Sequence, residues 1–221
     1  LKSFTSLENN MVSFERLHDY TRLPCEEKPV NKPLTTTETV GWPQDGYVEF
    51  DEYCCSYRPD SMTVLNSVNI KIRAGTKIGI VGRSGSGKST FALSLFRLVW
   101  RKSGMIRIDG IDIETLPVKL LRSRLSFIPQ DPLLFIGSVQ SNLDPGGKFH
   151  IKEIQDTIRR TKLETCCPSL RPENLSKMIN QGGENLSYGE RQVICVIRCL
   201  LKKSRIIVLD EATAHMDNKV E

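Results

Sequence analysis

The spacing of apolar positions changes twice along the chain. Leu7, Met11, Phe14 and Leu17 recur at helical intervals, so residues from about Phe4 to Tyr20 read as an amphipathic helix. From Leu23 to Trp42 prolines, threonines and charges take over, and Pro24, Pro29, Pro33 and Pro43 block regular structure. This stretch reads as a linker, and the helix before it as a different packing unit from the domain after it. From Tyr47 onward strand and helix signals alternate. Val48, Phe50 and Tyr53 predict a first strand, Val68 to Ile72 a second and Lys77 to Val81 a third. A helix from Lys88 to Trp100 is apolar nearly all round, which predicts burial. Met105 to Ile108 and Ile111 to Ile113 flank Asp109-Gly110, the signal of a type I′ hairpin. Leu125 to Ile128 reads as a short strand, Ile151 to Lys162 and Gly189 to Leu201 as helices, and Arg205 to Leu209 as a near-continuous apolar strand. Such runs between helices predict strands buried on both faces, hence an α/β sheet.

Length and composition narrow the class. The 221 residues hold one domain and an appendage, and 39% hydrophobic content suits an ordinary packed core. A net charge of +5 is mild. It suits an anionic partner such as a nucleotide, while no block of like charges marks a nucleic-acid surface. The cysteines are Cys25, Cys54, Cys55, Cys166, Cys167, Cys195 and Cys199. Their number is odd and no Cys-x-x-Cys pair offers metal-ligand spacing, so reduced thiols in a cytosolic compartment are the simplest account. The chain opens at Leu1 without a compact apolar core and soon meets Glu8, so no signal peptide is read. Even the most apolar helix, around Val193 to Leu201, contains Arg198, and no span of the bilayer is expected within the chain.

The chemistry sits in three places. Gly82-Arg83-Ser84-Gly85-Ser86-Gly87-Lys88-Ser89 matches G-x-x-x-x-G-K-[ST]. Glycines let the backbone curl so that its N–H groups face phosphate oxygens, Lys88 adds a cation, and the Ser89 hydroxyl can ligate Mg²⁺. The next helix, with Thr90 in its first turn, presents its positive end to the same anions. An apolar strand precedes the loop and a helix succeeds it, which is the context the motif requires. The loop therefore implies a nucleoside-triphosphate site. Further on, Ile206-Ile207-Val208-Leu209-Asp210-Glu211 is an apolar run ending in two carboxylates. Such a strand delivers Asp210 to the Mg²⁺ region, and Glu211 is placed to orient or deprotonate water; the plainer alternative is a strand end with solvated acids. Finally, Leu186-Ser187-Tyr188-Gly189-Glu190 lies just before a helix, where Ser-x-x-Glu is a capping box and the helix start is also a phosphate receptor.

Here the sequence resembles the ABC ATPase family, whose signature reads L-S-G-G-Q. This chain departs from it twice, with Tyr188 for a glycine and Glu190 for a glutamine. In that family the signature faces the γ-phosphate held by an opposite cassette, and Glu190 would set a carboxylate near that anion, which is mildly unfavourable. Gln130, within Phe127-Ile128-Pro129-Gln130-Asp131-Pro132, matches the glutamine loop that contacts Mg²⁺ and senses the transmembrane domains. Tyr57 matches the aromatic that stacks on adenine; a half-buried strand tyrosine is the alternative. Asp217 matches the dimer-contact loop, whereas His215 is not the family's switch histidine and reads as a loop residue.

The resemblance implies a P-loop NTPase of the ABC type, an α/β mixed sheet with a β subdomain and a helical signature subdomain, preceded by a helix and linker. Residues 1–22 then read as the cytoplasmic extension of a transmembrane helix, 23–45 as linker and 46–221 as the nucleotide-binding domain. Gly41-Trp42-Pro43, Tyr57-Arg58-Pro59-Asp60 and Asn142-Leu143-Asp144-Pro145 are similar to the second cassette of the C subfamily, the multidrug-resistance-associated type, and Glu211 favours second over first. Implied ligands are ATP and Mg²⁺, with Lys88 and Glu211 catalytic and Ser89, Gln130 and Asp210 around the metal. Implied partners are a second nucleotide-binding domain and transmembrane domains, not nucleic acid, with this domain on the cytoplasmic face of a membrane.

The implied activity is ATP hydrolysis driving export of organic anions or drug conjugates. Two rivals are a nucleotide-sensing cassette of a channel or receptor and a soluble ATPase of DNA repair or translation; against the latter, no long insertion separates Gln130 from Ser187. Relatives continue past the position of Glu221 with a helix, the switch-histidine strand and closing strands. On that reading the chain is a fragment or a truncated isoform, its sheet exposes an edge, and by itself it binds ATP with little hydrolysis.

Overall fold

A computed structural model describes residues 2–23, 41–165 and 167–210, with side chains from residue 11 onward. Contacts divide the chain into two units, Leu1–Pro33 and Leu34–Glu221. In the first, helix α1 (Lys2–Thr21) leaves Met11, Phe14 and Leu17 exposed. No helix among the described residues is long and apolar enough to cross a membrane.

The second unit begins its packing within the stretch read as linker. Trp42 is buried in the main core and its indole N–H donates to the Ile108 carbonyl at 3.0 Å. Next to it, the Asp109 carboxylate accepts from the amides of Asp45, Gly46 and Tyr47 at 2.8–3.1 Å.

Alternation of apolar and polar residues builds the first layer. β1 (Val48–Ser56) is central, paired antiparallel with β2 (Leu65–Ile72) on one side and β3 (Trp100–Ile108) on the other, and β3 pairs with β4 (Ile111–Asp112). Val48, Phe50, Tyr53 and Cys55 face inward, while Glu49 bridges Lys71 and Arg107 across both neighbours. Asp109 and Gly110, with φ of 50° and 79°, make the expected tight turn between Ile108 and Ile111. β3 starts five residues earlier than the Met105 predicted from the sequence, because Trp100 already pairs with Ser56. The same extension shortens the predicted 88–100 helix: α2 is Lys88–Leu95 and Arg97 turns the chain at φ 53°. Gly104 sits where β3 bulges against β1, and a Cβ there would lie 2.3 Å from the Glu52 carbonyl oxygen, so only glycine fits. Phe91 of α2 stacks on Phe50 at 4.3 Å between centroids, seating the helix on this sheet.

After α3 (Val118–Arg124), β5 (Leu125–Ile128) pairs in parallel with β8 (Ile206–Leu209). A second core gathers under α4 (Val139–Leu143), α5 (Ile151–Thr161) and α6 (Tyr188–Lys202), with the short pair β6 (Gly137–Ser138) and β7 (Met178–Ile179) beside it. Ile128 meets Cys195 and Cys199 in a third cluster that ties β5 to α6. Arg198 of α6 donates to the carbonyls of Leu133 and Asn142, and the buried Asn142 amide exchanges two 2.8 Å bonds with the Phe135 backbone. The loop after Gln130 is thereby pinned.

Two strand predictions need correction. Lys77 to Val81 joins no ladder among the described residues; Ile78 and Ile80 are about half exposed and Val81 is 97% exposed. β8 is not buried on both faces either, with Ile207 41% and Leu209 57% exposed. The reason is shared: both segments line one cavity of about 380 Å³ instead of bonding to each other.

Candidate functional site

The phosphate loop runs from the unpaired 77–81 segment into α2. Gly87 caps that helix at φ 93° with no side-chain cap, and a Cβ there would meet Leu65 Cδ2 at 3.0 Å. Glycine is therefore needed for both the turn and the space. With no capping side chain, the amides of the first turn remain donors at the positive end of α2. The Lys88 ammonium reaches back across the loop to the carbonyls of Gly82 at 2.9 Å and Arg83 at 3.1 Å.

β8 brings the acid. Its parallel ladder with β5 is prolonged by the Asp210 amide, which donates to the Ile128 carbonyl at 3.0 Å. The Ser89 hydroxyl donates to Asp210 Oδ1 at 3.3 Å, joining residues 121 positions apart. Beside Ser89 opens a cavity of about 690 Å³, a size that suits a small-molecule ligand. Gly82, Ser84, Gly85, Gly87, Lys88, Ser89 and Thr90 line it, together with Tyr57 and Gln130 from elsewhere in the chain. Ser86 turns inside the loop, its amide donating to the Arg83 carbonyl.

Tyr57 lies just past the end of β1 and is 58% exposed, so it is no half-buried strand residue. Its hydroxyl shares a 2.8 Å hydrogen bond with Thr90 Oγ1. Val64 also lines the cavity. Sequence reasoning missed it, since a lone valine outside any periodic run carries no chemical signal.

The Ser187–Glu190 segment opens α6. Ser187 is its N-cap: the hydroxyl accepts from the Glu190 amide, and the Glu190 carboxylate accepts from the Ser187 amide at 3.1 Å. Ser169 adds a 2.6 Å bond to the other carboxylate oxygen. Burial pushes the Glu190 carboxyl up, but hydrogen bonds from Ser169 and Ser187 outweigh it and hold the group below its ordinary value. Leu186 is buried in the second core. Gly189 has open space where a Cβ would stand. Tyr188 reaches across to the Gln130 carbonyl. Glu211 and Asp217 lie outside the described residues, as do Cys25, Cys166 and His215.

The sequence model of the family described as ABC transporter matches residues 65–214. The chain belongs to the ABC transporter family. Among curated relatives, ATP-binding cassette sub-family C member 3 of Homo sapiens is 42% identical over 217 residues, covering 98% of this chain and 14% of that protein. Bile pigment transporter 1 of Saccharomyces cerevisiae is 38% identical over 237 residues, covering all of this chain and 15% of that protein. The solved structure of a bacterial Atm1-family ABC exporter with ATP bound superposes with a TM-score of 0.84 at 27% identity, over 98% of this chain and 37% of that one. The cassette is thus a nucleotide-binding domain of the C-subfamily type, and it spans about one seventh of the curated relatives' length.

Within this cassette the elements recognised in the sequence come together: the phosphate loop and Gln130, two residues past β5, line one cavity, and Asp210 at the end of β8 is bonded to Ser89 of that lining. The Leu186–Glu190 segment, which resembles the family signature, stands beside Gln130. Its departures from the family pattern, Tyr188 and Glu190, are each engaged by hydrogen bonds within the chain.

Proposed function

We propose that the cassette binds Mg·ATP between Lys88, Ser89, Gln130 and Asp210, hydrolyses it, and drives export of organic anions or drug conjugates as the second cassette of a longer transporter. The observation that carries this reading is the Ser89–Asp210 hydrogen bond, because it brings a phosphate cradle and a metal-directed acid to one point. The donor set fits magnesium: a hydroxyl, a carboxylate and a carboxamide are hard oxygen ligands, and Mg²⁺ is held by one or two carboxylates together with phosphate oxygens and water. Bound there, the ion would neutralise charge on the transferring phosphoryl group.

The chain's own residues do the rest. The first-turn amides of α2 and the Lys88 ammonium bind the phosphates, with Lys88 exchanging two loop carbonyls for phosphate oxygens. Tyr57, which lines the cavity, would stack on adenine. Glu211, next to Asp210, would orient or deprotonate the attacking water. The start of α6, with Ser187, would complete the site of an opposing nucleotide-binding domain, and Asp217 would contact that domain. Transmembrane domains would receive the motion on the cytoplasmic side of a membrane, with residues 1–22 as an extension of their last helix, 23–45 as linker and 46–221 as the motor domain.

The export assignment is supported by relatives whose names read as transporters and exporters. Binding of ATP by the 221-residue chain at millimolar Mg²⁺ tests the site. Lys88→Ala is expected to weaken it about ten- to a hundredfold, the worth of a charge-assisted contact; unchanged affinity would refute the site. ATP-driven uptake of organic anions into vesicles carrying the longer protein tests the export. An ATP-gated current without uptake would favour the nucleotide-sensing alternative.

A further inference from the structure

The start of α6 is bonded to the peptide that carries Gln130. Tyr188 donates its hydroxyl to the Gln130 carbonyl oxygen, and Gln192, one turn further along, donates its amide to the same oxygen at 2.8 Å. The two side chains also contact each other, Gln192 Nε2 lying 3.3 Å from the Tyr188 hydroxyl, and the Arg191 guanidinium rests over the Tyr188 ring at 5.5 Å from its centroid. Gln192 is fully buried, so its amide has a fixed place beneath the loop. Two residues upstream, the Ile128 carbonyl accepts from the Asp210 amide. The stretch 128–130 is therefore held at both ends, by the metal-directed acid on one side and by α6 on the other. Gln130 itself lines the same cavity as Lys88 and Ser89.

We infer that Tyr188 is a positioning residue: its hydroxyl, with the Gln192 amide, fixes the Gln130 peptide so that the carboxamide stands at the metal position of the nucleotide site. The inference rests on the reading of Gln130 as a magnesium ligand. It gives a physical role to a residue that breaks the signature pattern, since glycine at position 188 has no hydroxyl to offer. A carbonyl with two donors leaves its peptide plane little freedom, and the side chain attached beside it inherits that restriction. Losing the hydroxyl loosens the peptide without removing the ligand. The effect falls on metal-dependent binding and spares contacts made by the phosphate loop.

The test uses the 221-residue chain and a fluorescent ATP analogue, titrated once with Mg²⁺ and once with EDTA. Tyr188→Phe is expected to weaken binding about three- to tenfold in the magnesium arm, the worth of one neutral hydrogen bond, with the EDTA arm unchanged. Tyr188→Gly, which restores the family's residue, is expected to give the same pattern. Gln130→Ala is expected to show at least that loss, and Tyr188→Phe on that background to add nothing. Loss in both arms would mark a general loosening and overturn the inference. Wild-type magnesium dependence in Tyr188→Phe, with a clear loss in Gln130→Ala, would overturn the clamp alone. If Gln130→Ala itself left the magnesium arm unchanged, the metal role of Gln130 would fall, and the inference with it.

Discussion

Glu190 shows how a single residue changes meaning once its neighbours are known. By sequence it is a carboxylate facing an anion. In the folded chain both its oxygens are occupied, one by the Ser187 cap and the other by Ser169, which comes from 21 residues away. Its negative charge lies at the N-terminus of α6, where it offsets the helix dipole. Because the folded carboxyl sits below its ordinary value of 4.5, its charge stabilises the fold above the unfolded value, and that contribution is lost as pH falls through the folded one. Glu190→Gln is expected to cost about 0.3–1 kcal/mol at neutral pH. The gap between the melting temperatures of wild type and variant should close as pH drops through the carboxylate range. A gap that stays constant down to about pH 2, below the carboxylate range, would show that the charge contributes nothing. The capping box was legible in the Ser-x-x-Glu spacing; the Ser169 bond was not, because nothing local links the two residues.

At the scale of elements, the hairpin between β3 and β4 does more than reverse the chain. Asp109 occupies a left-handed turn position that aspartate tolerates, and its carboxylate holds three successive amides of residues 45–47. The segment carrying the buried Trp42 is thereby fastened to the end of the sheet. Asp109→Ala loses both the acceptor and the residue suited to positive φ. A stability loss of about 2–4 kcal/mol is expected in denaturant unfolding, of which Asp109→Gly should recover only the backbone part, about 1–2 kcal/mol. Equal losses in the two variants would show that the turn conformation is irrelevant. The Asp-Gly turn could be read directly from the sequence. That the same carboxylate anchors the end of the apparent linker could not, since the contact spans more than 60 residues.

At the scale of the whole molecule, stability is unevenly distributed over the described residues. β1 is bonded on both edges and packs Phe50 against Phe91, whereas 77–81, the approach to the phosphate loop, has no ladder. Amides of 77–81 are expected to exchange with deuterium orders of magnitude faster than those of Val48–Tyr53; equal protection would mean that a backbone partner covers the segment in solution. The sequence alone determined everything that depends on close spacing: the phosphate loop, the capping box, the Asp-Gly turn, most helices, and the acid at the end of an apolar run. Those features are fixed by a few adjacent dihedrals and side chains, so local chemistry suffices. Tertiary structure decided what depends on partners far along the chain. It brought Ser89 within reach of Asp210, moved Trp42 from linker to core, tied Tyr188 to Gln130, and left an apolar segment that reads as a buried strand exposed beside a cavity. A strand is defined by its neighbours' hydrogen bonds and a site by convergence, and neither is contained in any one segment.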